Sequence, residues 1–230
     1  MNRYESAGDI KQEHLQAFGP TLGPLYYALY NEVTWLHAKW LEYRKLYAQS
    51  EKRVDLLNDA AAFFFGVVQN VLWEDILLHI ARLTDPPNQG GFDNLTLLRL
   101  PDAVADERMG QELRGLVQTC RDRSQFARQW RNKRLAHSDL SRAIDVKAAP
   151  LPGMSRQHVE DILASFRLIM NHLHSSYLQG EVAFEHFLTH SGAEALIHHV
   201  AVAVRFGERQ RERFRQGKPL PEDLEPPCEV

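Results

Sequence analysis

The sequence predicts an all-α fold: an antiparallel bundle of four to five long helices with a C-terminal helical extension. Three observations point there. Apolar residues recur every three or four positions through much of the chain, the spacing that aligns side chains on one helical face. Clusters of proline, glycine and aspartate cut this pattern into segments of helical length. With 230 residues, 44% hydrophobic and 25% charged, the chain can bury one sizeable core, and one main domain is expected.

Residues 1–18 are polar and uneven and read as a flexible tail, after which Gly19, Pro20, Gly23 and Pro24 punctuate the entry to the bundle, 19–180. The first helix is expected from Leu25 to Gln49, with Leu29, Val33, Leu36, Trp40, Tyr43 and Tyr47 on one face. That stripe suits a core or a dimer contact better than a ligand-stacking surface. The second runs from about Arg53 to Thr84 and, at roughly 1.5 Å per residue, spans about 45 Å. Its apolar density marks it as the central helix. Asp85-Pro86-Pro87 ends it, because proline disfavours helical geometry in the residue before it and donates no backbone hydrogen bond. A loop to about Pro101 follows.

A third helix, from about Ala105 to Leu135, turns Leu113, Leu116, Val117, Cys120, Ala127 and Trp130 inward. Pro150, Pro152 and Gly153 mark a connector. Ser155 caps a fourth helix whose apolar face comprises Val159, Ile162, Leu163, Phe166, Ile169, Met170, Leu173 and Tyr177, and which ends at Gln179-Gly180. Residues 181–216 form the helical extension, with Gly192 as a break, and the acidic, proline-rich 217–230 is expected to be disordered.

The working site read from the sequence is Arg131–Asp139, RNKRLAHSD. Arginine is a permanently charged planar donor suited to phosphate, and histidine can take and give a proton near neutral pH. Between Arg121 and Arg134 there are six basic residues against the single acid Asp122. This local patch matters because a net charge of −3 gives no global basic field. With twenty Arg and eleven His in the chain, the spacing alone would arise by chance. Arg167, followed by His172 and His174, is such a decoy, lying inside a continuous apolar stripe. On an ideal helix, Arg131 and His137 stand about 120° apart and about 9 Å along the axis. They can therefore work together only if the helix ends or bends between them, or if a second copy completes the site. Glu74, Asp75, Arg82 and Asp85 are polar residues on or just after the second helix, and one of the three carboxylates could orient Arg131 or His137. Asp75 is the preferred candidate of the four, although solvent-facing charge or a helix-end pair accounts for these residues better.

RNKRLAH resembles the Arg-Asn-x4-His signature of the HEPN superfamily of all-helical domains. LWEDILLHIARLTDPP, Leu72–Pro87, is similar to the helix that accompanies it in the abortive-infection (Abi) U branch. The resemblance covers roughly the first 180 residues. It implies a dimeric, metal-independent endoribonuclease, often a toxin or antiphage effector, although some members keep the fold as a non-catalytic scaffold. The residues expected to carry catalysis are Arg131, Asn132 and His137, with Arg128, Lys133 and Arg134 on the RNA backbone and no cofactor. RNA, a second copy of the chain and an antitoxin or regulatory protein are the implied partners. A non-catalytic module binding nucleotide, RNA or protein is the alternative. In that case Arg131 pairs with an acid and His137 decorates a helix C-terminus.

Cys120 and Cys228 belong to no Cys-x-x-Cys pair, which argues against a disulfide framework or thiolate zinc site and for a reducing compartment. The N-terminus lacks a basic-then-apolar leader, and no uninterrupted apolar run approaches the roughly 18 residues of a membrane span. A cytoplasmic, membrane-free protein is expected. P-loop, dinucleotide and zinc-protease motifs and the nucleophile elbow are all missing. His186, His190 and Glu194 have helical metal-ligand spacing, but Ser191-Gly192 interrupts them. Arg205, Arg209, Arg211, Arg213 and Arg215 extend an RNA surface or, with Glu208 and Glu212 interleaved, form a solvated helix.

Overall fold

The structure, a computed structural model, describes residues 6–132, 155–187 and 191–224. Helices account for most of them: α1 (Ala7–Tyr47), α2 (Glu51–Leu83), the short α3 (Leu100–Ala103), α4 (Glu107–Arg123), α5 (Gln125–Trp130), α6 (Arg156–Leu178) and α7 (Ala193–Arg215). The all-α expectation holds.

Three boundaries differ from the sequence reading. Residues 7–18 are helical rather than a tail, because His14 and Phe18 are buried among Tyr26 and Tyr177 and pull the segment onto the bundle. Gly19 breaks α1 with φ +75°, a left-handed conformation that costs any residue with a Cβ. Gly23 permits the close return, since a Cβ there would lie 3.1–3.2 Å from the Leu15 and His14 backbone. The expected loop after Pro87 contains a two-residue β-hairpin, Asn88–Gln89 against Phe92–Asp93, turned by Gly90 and Gly91, both at positive φ. The third helix is broken at Ser124, between α4 and α5.

The chain also does not divide at residue 180. One compact unit combines Met1–Trp40 with Trp73–Phe187, and the other combines Leu41–Leu72 with Leu188–Val230. In the first, α4 packs on α6 through Leu113, Val117 and Cys120 on one side and Ile162, Phe166 and Ile169 on the other, all buried. Residues just past 180 stay on this unit because the Asn171 side chain donates to the Val182 carbonyl at 3.1 Å and accepts its N–H at 2.8 Å. In the second unit, Leu46, Leu57, Phe65 and Ala193 form the core. Arg53 forks onto Glu194 at 2.8 and 3.0 Å. Asp223 of the tail, expected to be disordered, is buried and accepts two hydrogen bonds from Arg213.

Helix α2 does not serve as a central rod along its whole length. It is interrupted at Ala61, and beyond that point Phe63, Phe64, Val67 and Val71 are exposed, Phe63 at 88%. Among the described residues it is also the one helix long and apolar enough, by length and composition, to cross a membrane. The expectation that no such segment exists rested on uninterrupted runs, which Gln69-Asn70 breaks without lowering the average enough.

Candidate active site

The site is assembled where α2 ends and α5 ends. At the close of α2, the Thr84 hydroxyl donates to the Ile80 carbonyl at 2.9 Å and Thr96 donates to the Leu83 carbonyl at 2.9 Å, satisfying terminal carbonyls that burial would otherwise leave unpaired. The proline turn is held in turn. Asn94 donates to the Pro86 carbonyl at 2.8 Å, and Arg99 donates to the carbonyls of Pro87 and Asn94 at 2.6 and 2.7 Å. Asp85 is thereby fixed just beyond the helix, only 8% exposed.

The partner side begins at Ser124, fully buried, whose hydroxyl donates to the Arg121 carbonyl at 2.8 Å. Arg128 crosses this junction. Its Nη1 donates to Ser124 at 2.6 Å and to Thr84 at 3.2 Å, and its Nη2 donates to the Arg121 carbonyl at 2.7 Å. Burial first, and then the neighbouring Arg121 cation, lowers its pKa, with Asp85 opposing. Expected as a phosphate contact, Arg128 instead spends these donors as a strut tying α5 to the end of α2.

Arg131 follows one turn later, where the backbone passes into π-helical geometry at Arg131 and Asn132, a distortion that re-aims side chains. Its Nη1 pairs with Asp85 Oδ2, and its Nε donates to Asn132 Oδ1 at 3.0 Å. The side chain keeps 16% exposure, and its Nη2 has no hydrogen-bond partner among the described residues. Asp85 Oδ1 is buried and equally unpartnered. An arginine locked by a buried carboxylate, with donors to spare, is preorganised to receive an oxyanion.

His137, Lys133 and Arg134 lie outside the described residues. Asp75, preferred from the sequence as the orienting acid, belongs to another cluster. It accepts a 2.6 Å hydrogen bond from Lys39 Nζ, which also lies 3.5 Å from His79 Nδ1, while His79 Nε2 stands 2.8 Å from Glu32. Asp85 is the carboxylate on Arg131. The signal lay in the sequence, since Thr84-Asp85-Pro86 sits past the helix end, where a side chain is free to leave the helical face.

The decoy residues are occupied structurally. Arg167 reaches His37 Nε2 at 3.3 Å and Glu185 at 3.6 Å, His174 Nδ1 meets the Tyr26 hydroxyl at 3.1 Å, and His172 lies 3.3 Å from Glu112. Of the spaced trio His186, His190 and Glu194, His190 is outside the described residues and Glu194 is held by Arg53. Among the described residues no group of three His, Cys, Asp or Glu side chains is placed to hold a metal ion.

The model of the HEPN_AbiU2 family, AbiU2, matches residues 20–197. No curated protein and no solved structure matches the chain.

Proposed function

The chain belongs to the AbiU2 family of HEPN domains, and from that premise we propose that it is a metal-independent endoribonuclease acting in abortive infection, as a toxin or antiphage effector. The observation that carries this reading is the Asp85–Arg131 pair, which holds a guanidinium at a helix end with no hydrogen-bond partner on Nη2 among the described residues. In the proposed reaction, His137 removes the proton of a ribose 2′-OH, which attacks the adjacent phosphorus. Arg131 stabilises the charge on the phosphorane, and an imidazolium returns a proton to the departing 5′-oxygen. The products are a 2′,3′-cyclic phosphate and a 5′-hydroxyl. Asn132 holds a phosphate oxygen, and Lys133 and Arg134 contact the backbone without reading sequence.

The site is proposed to work as a homodimer, because one imidazole cannot conveniently flank both sides of an in-line displacement. The exposed Phe63, Phe64, Val67 and Val71 supply apolar surface of the kind such contacts bury. A cytoplasmic setting and an antitoxin or regulatory partner complete the proposal.

One observation favours the alternative of a non-catalytic module: Asp85 already neutralises part of the Arg131 charge. Incubating the purified chain with RNA in EDTA decides between them. The wild type should shorten RNA while His137→Ala and Arg131→Ala do not, and His172→Ala should retain activity. Intact RNA with the wild type, or full activity in His137→Ala, refutes the catalytic reading.

A further inference from the structure

Helix α5 presents a second face. Arg128 and Arg131 look toward the end of α2, whereas Gln125, Phe126 and Gln129, displaced by 100° steps around the same helix, line a groove of about 580 Å³ against the start of α6. That volume lies in the roughly 300–1,000 Å³ range of small-molecule sites. Its chemistry differs from that of the arginine face.

Phe126 and His158 face each other in the groove with ring centroids 5.5 Å apart and planes tilted by 34°. The His158 ring is held by its Nδ1, which accepts the Ser155 backbone N–H at 3.3 Å, and the His158 backbone N–H donates to Ser155 Oγ at 3.3 Å. With Nδ1 an acceptor, the proton of the neutral ring sits on Nε2. The pair is too close to admit a third ring between its members, but the exposed imidazole offers a face on which a planar ring continues the stack.

Two carboxylates, Asp122 and Asp161, border the same groove. Each has its Oδ1 engaged by a glutamine four residues earlier on its own helix, Gln118 and Gln157, both at 2.8 Å. The Oδ2 atoms have no hydrogen-bond partner among the described residues. The cation beside them, Arg123, donates to Ser165 Oγ at 3.1 Å. Two acids against one engaged cation repel a phosphate. They suit an uncharged planar group that presents adjacent N–H donors, and among the nucleobases guanine does so on its Watson–Crick edge, through N1–H and the N2 amino group.

We infer that the Phe126–His158 groove is a guanine-binding subsite for an RNA substrate. The inference rests on the reading of the chain as an RNA-cleaving protein. It names the base selected, a role distinct from the chemistry of the motif.

The test is calorimetric titration of the full chain with guanosine, adenosine and cytidine 3′-monophosphates, independent of any cleavage. The guanosine nucleotide should bind at least about tenfold more tightly than the other two, the discrimination of one good bidentate base contact. Asp161→Asn and Asp122→Asn, on exposed positions, should each erase that preference, and Phe126→Leu should weaken all three nucleotides about tenfold, with the helical signal unchanged. Equal affinities, no binding, or a preference surviving both carboxylate substitutions overturns the subsite. So does tighter binding of arginine amide than of any nucleotide, which would make the groove a socket for a protein side chain. Guanine preference in a chain that leaves RNA intact would uphold the subsite while refuting the catalytic reading. Cleavage without base preference would do the reverse.

Discussion

Asp85 does more for the site than its place at a helix end suggests. Its Oδ2 holds Arg131 and its Oδ1 is buried with no partner among the described residues, so removing it both unlocks the guanidinium and strands a half-buried cation. Asp85→Ala should cost roughly 1–3 kcal/mol of stability. It should also reduce RNA cleavage on the order of a hundredfold, the penalty of misplacing a group by about an ångström. Asp75→Asn, which among the described residues touches the Lys39 cluster, should leave cleavage unchanged, and a comparable loss in both variants would refute the separation. Two other residues govern the response to acid. Burial holds His14 at a pKa of about 4, helped by His174, and burial holds His37 at about 4 as well. The unfolded chain binds protons at these positions below about pH 6.5, while the folded chain refuses them until about pH 4. Stability should therefore fall as pH drops through that window, by up to roughly 3 kcal/mol per histidine, and owe nothing to these groups above it. Urea midpoints that stay constant from pH 7 to pH 4.5 would contradict this.

Among the elements, those with clean periodicity were legible and those decided by long-range packing were not. The apolar face of α6 reads directly from Val159 to Leu173, every member buried as expected. The helix before Gly19 was hidden because its buried contacts are made by His14 and Phe18 amid polar neighbours, so no stripe appears. The interruption at Ala61 falls in Ala60-Ala61-Ala62, which carries no breaker, and no local residue accounts for it. The hairpin at Gly90-Gly91 did carry a turn signal, but two-residue strands are too short for alternation to show. Asp85 is among the sequence candidates but gives way to Asp75, although it lies past the end of the helix, where its side chain reaches Arg131. Gly19 offers the test at this scale. Its φ of +75° means that Gly19→Ala should lower stability by about 1–2 kcal/mol, read as a drop in the thermal midpoint, with the unfolding transition remaining cooperative. An unchanged midpoint would show that the turn tolerates a Cβ.

For the molecule as a whole, the proposed function requires a metal-independent RNA-cleaving centre completed by a second chain. Light scattering should return twice the 26.5 kDa chain mass, and replacing Phe63 and Phe64 by serine should shift it toward the monomer while sparing the core, because both side chains are exposed. Mixing inactive His137→Ala and Arg131→Ala chains should recover part of the activity if a centre takes its arginine from one copy and its histidine from the other. The most direct measurement is the chemistry of the cut ends. RNA incubated with the wild-type chain in EDTA should yield 2′,3′-cyclic phosphate and 5′-hydroxyl termini, and His137→Ala should yield neither. Fragments ending in 3′-hydroxyl and 5′-phosphate, or cleavage that stops in EDTA and returns with magnesium, would contradict the account.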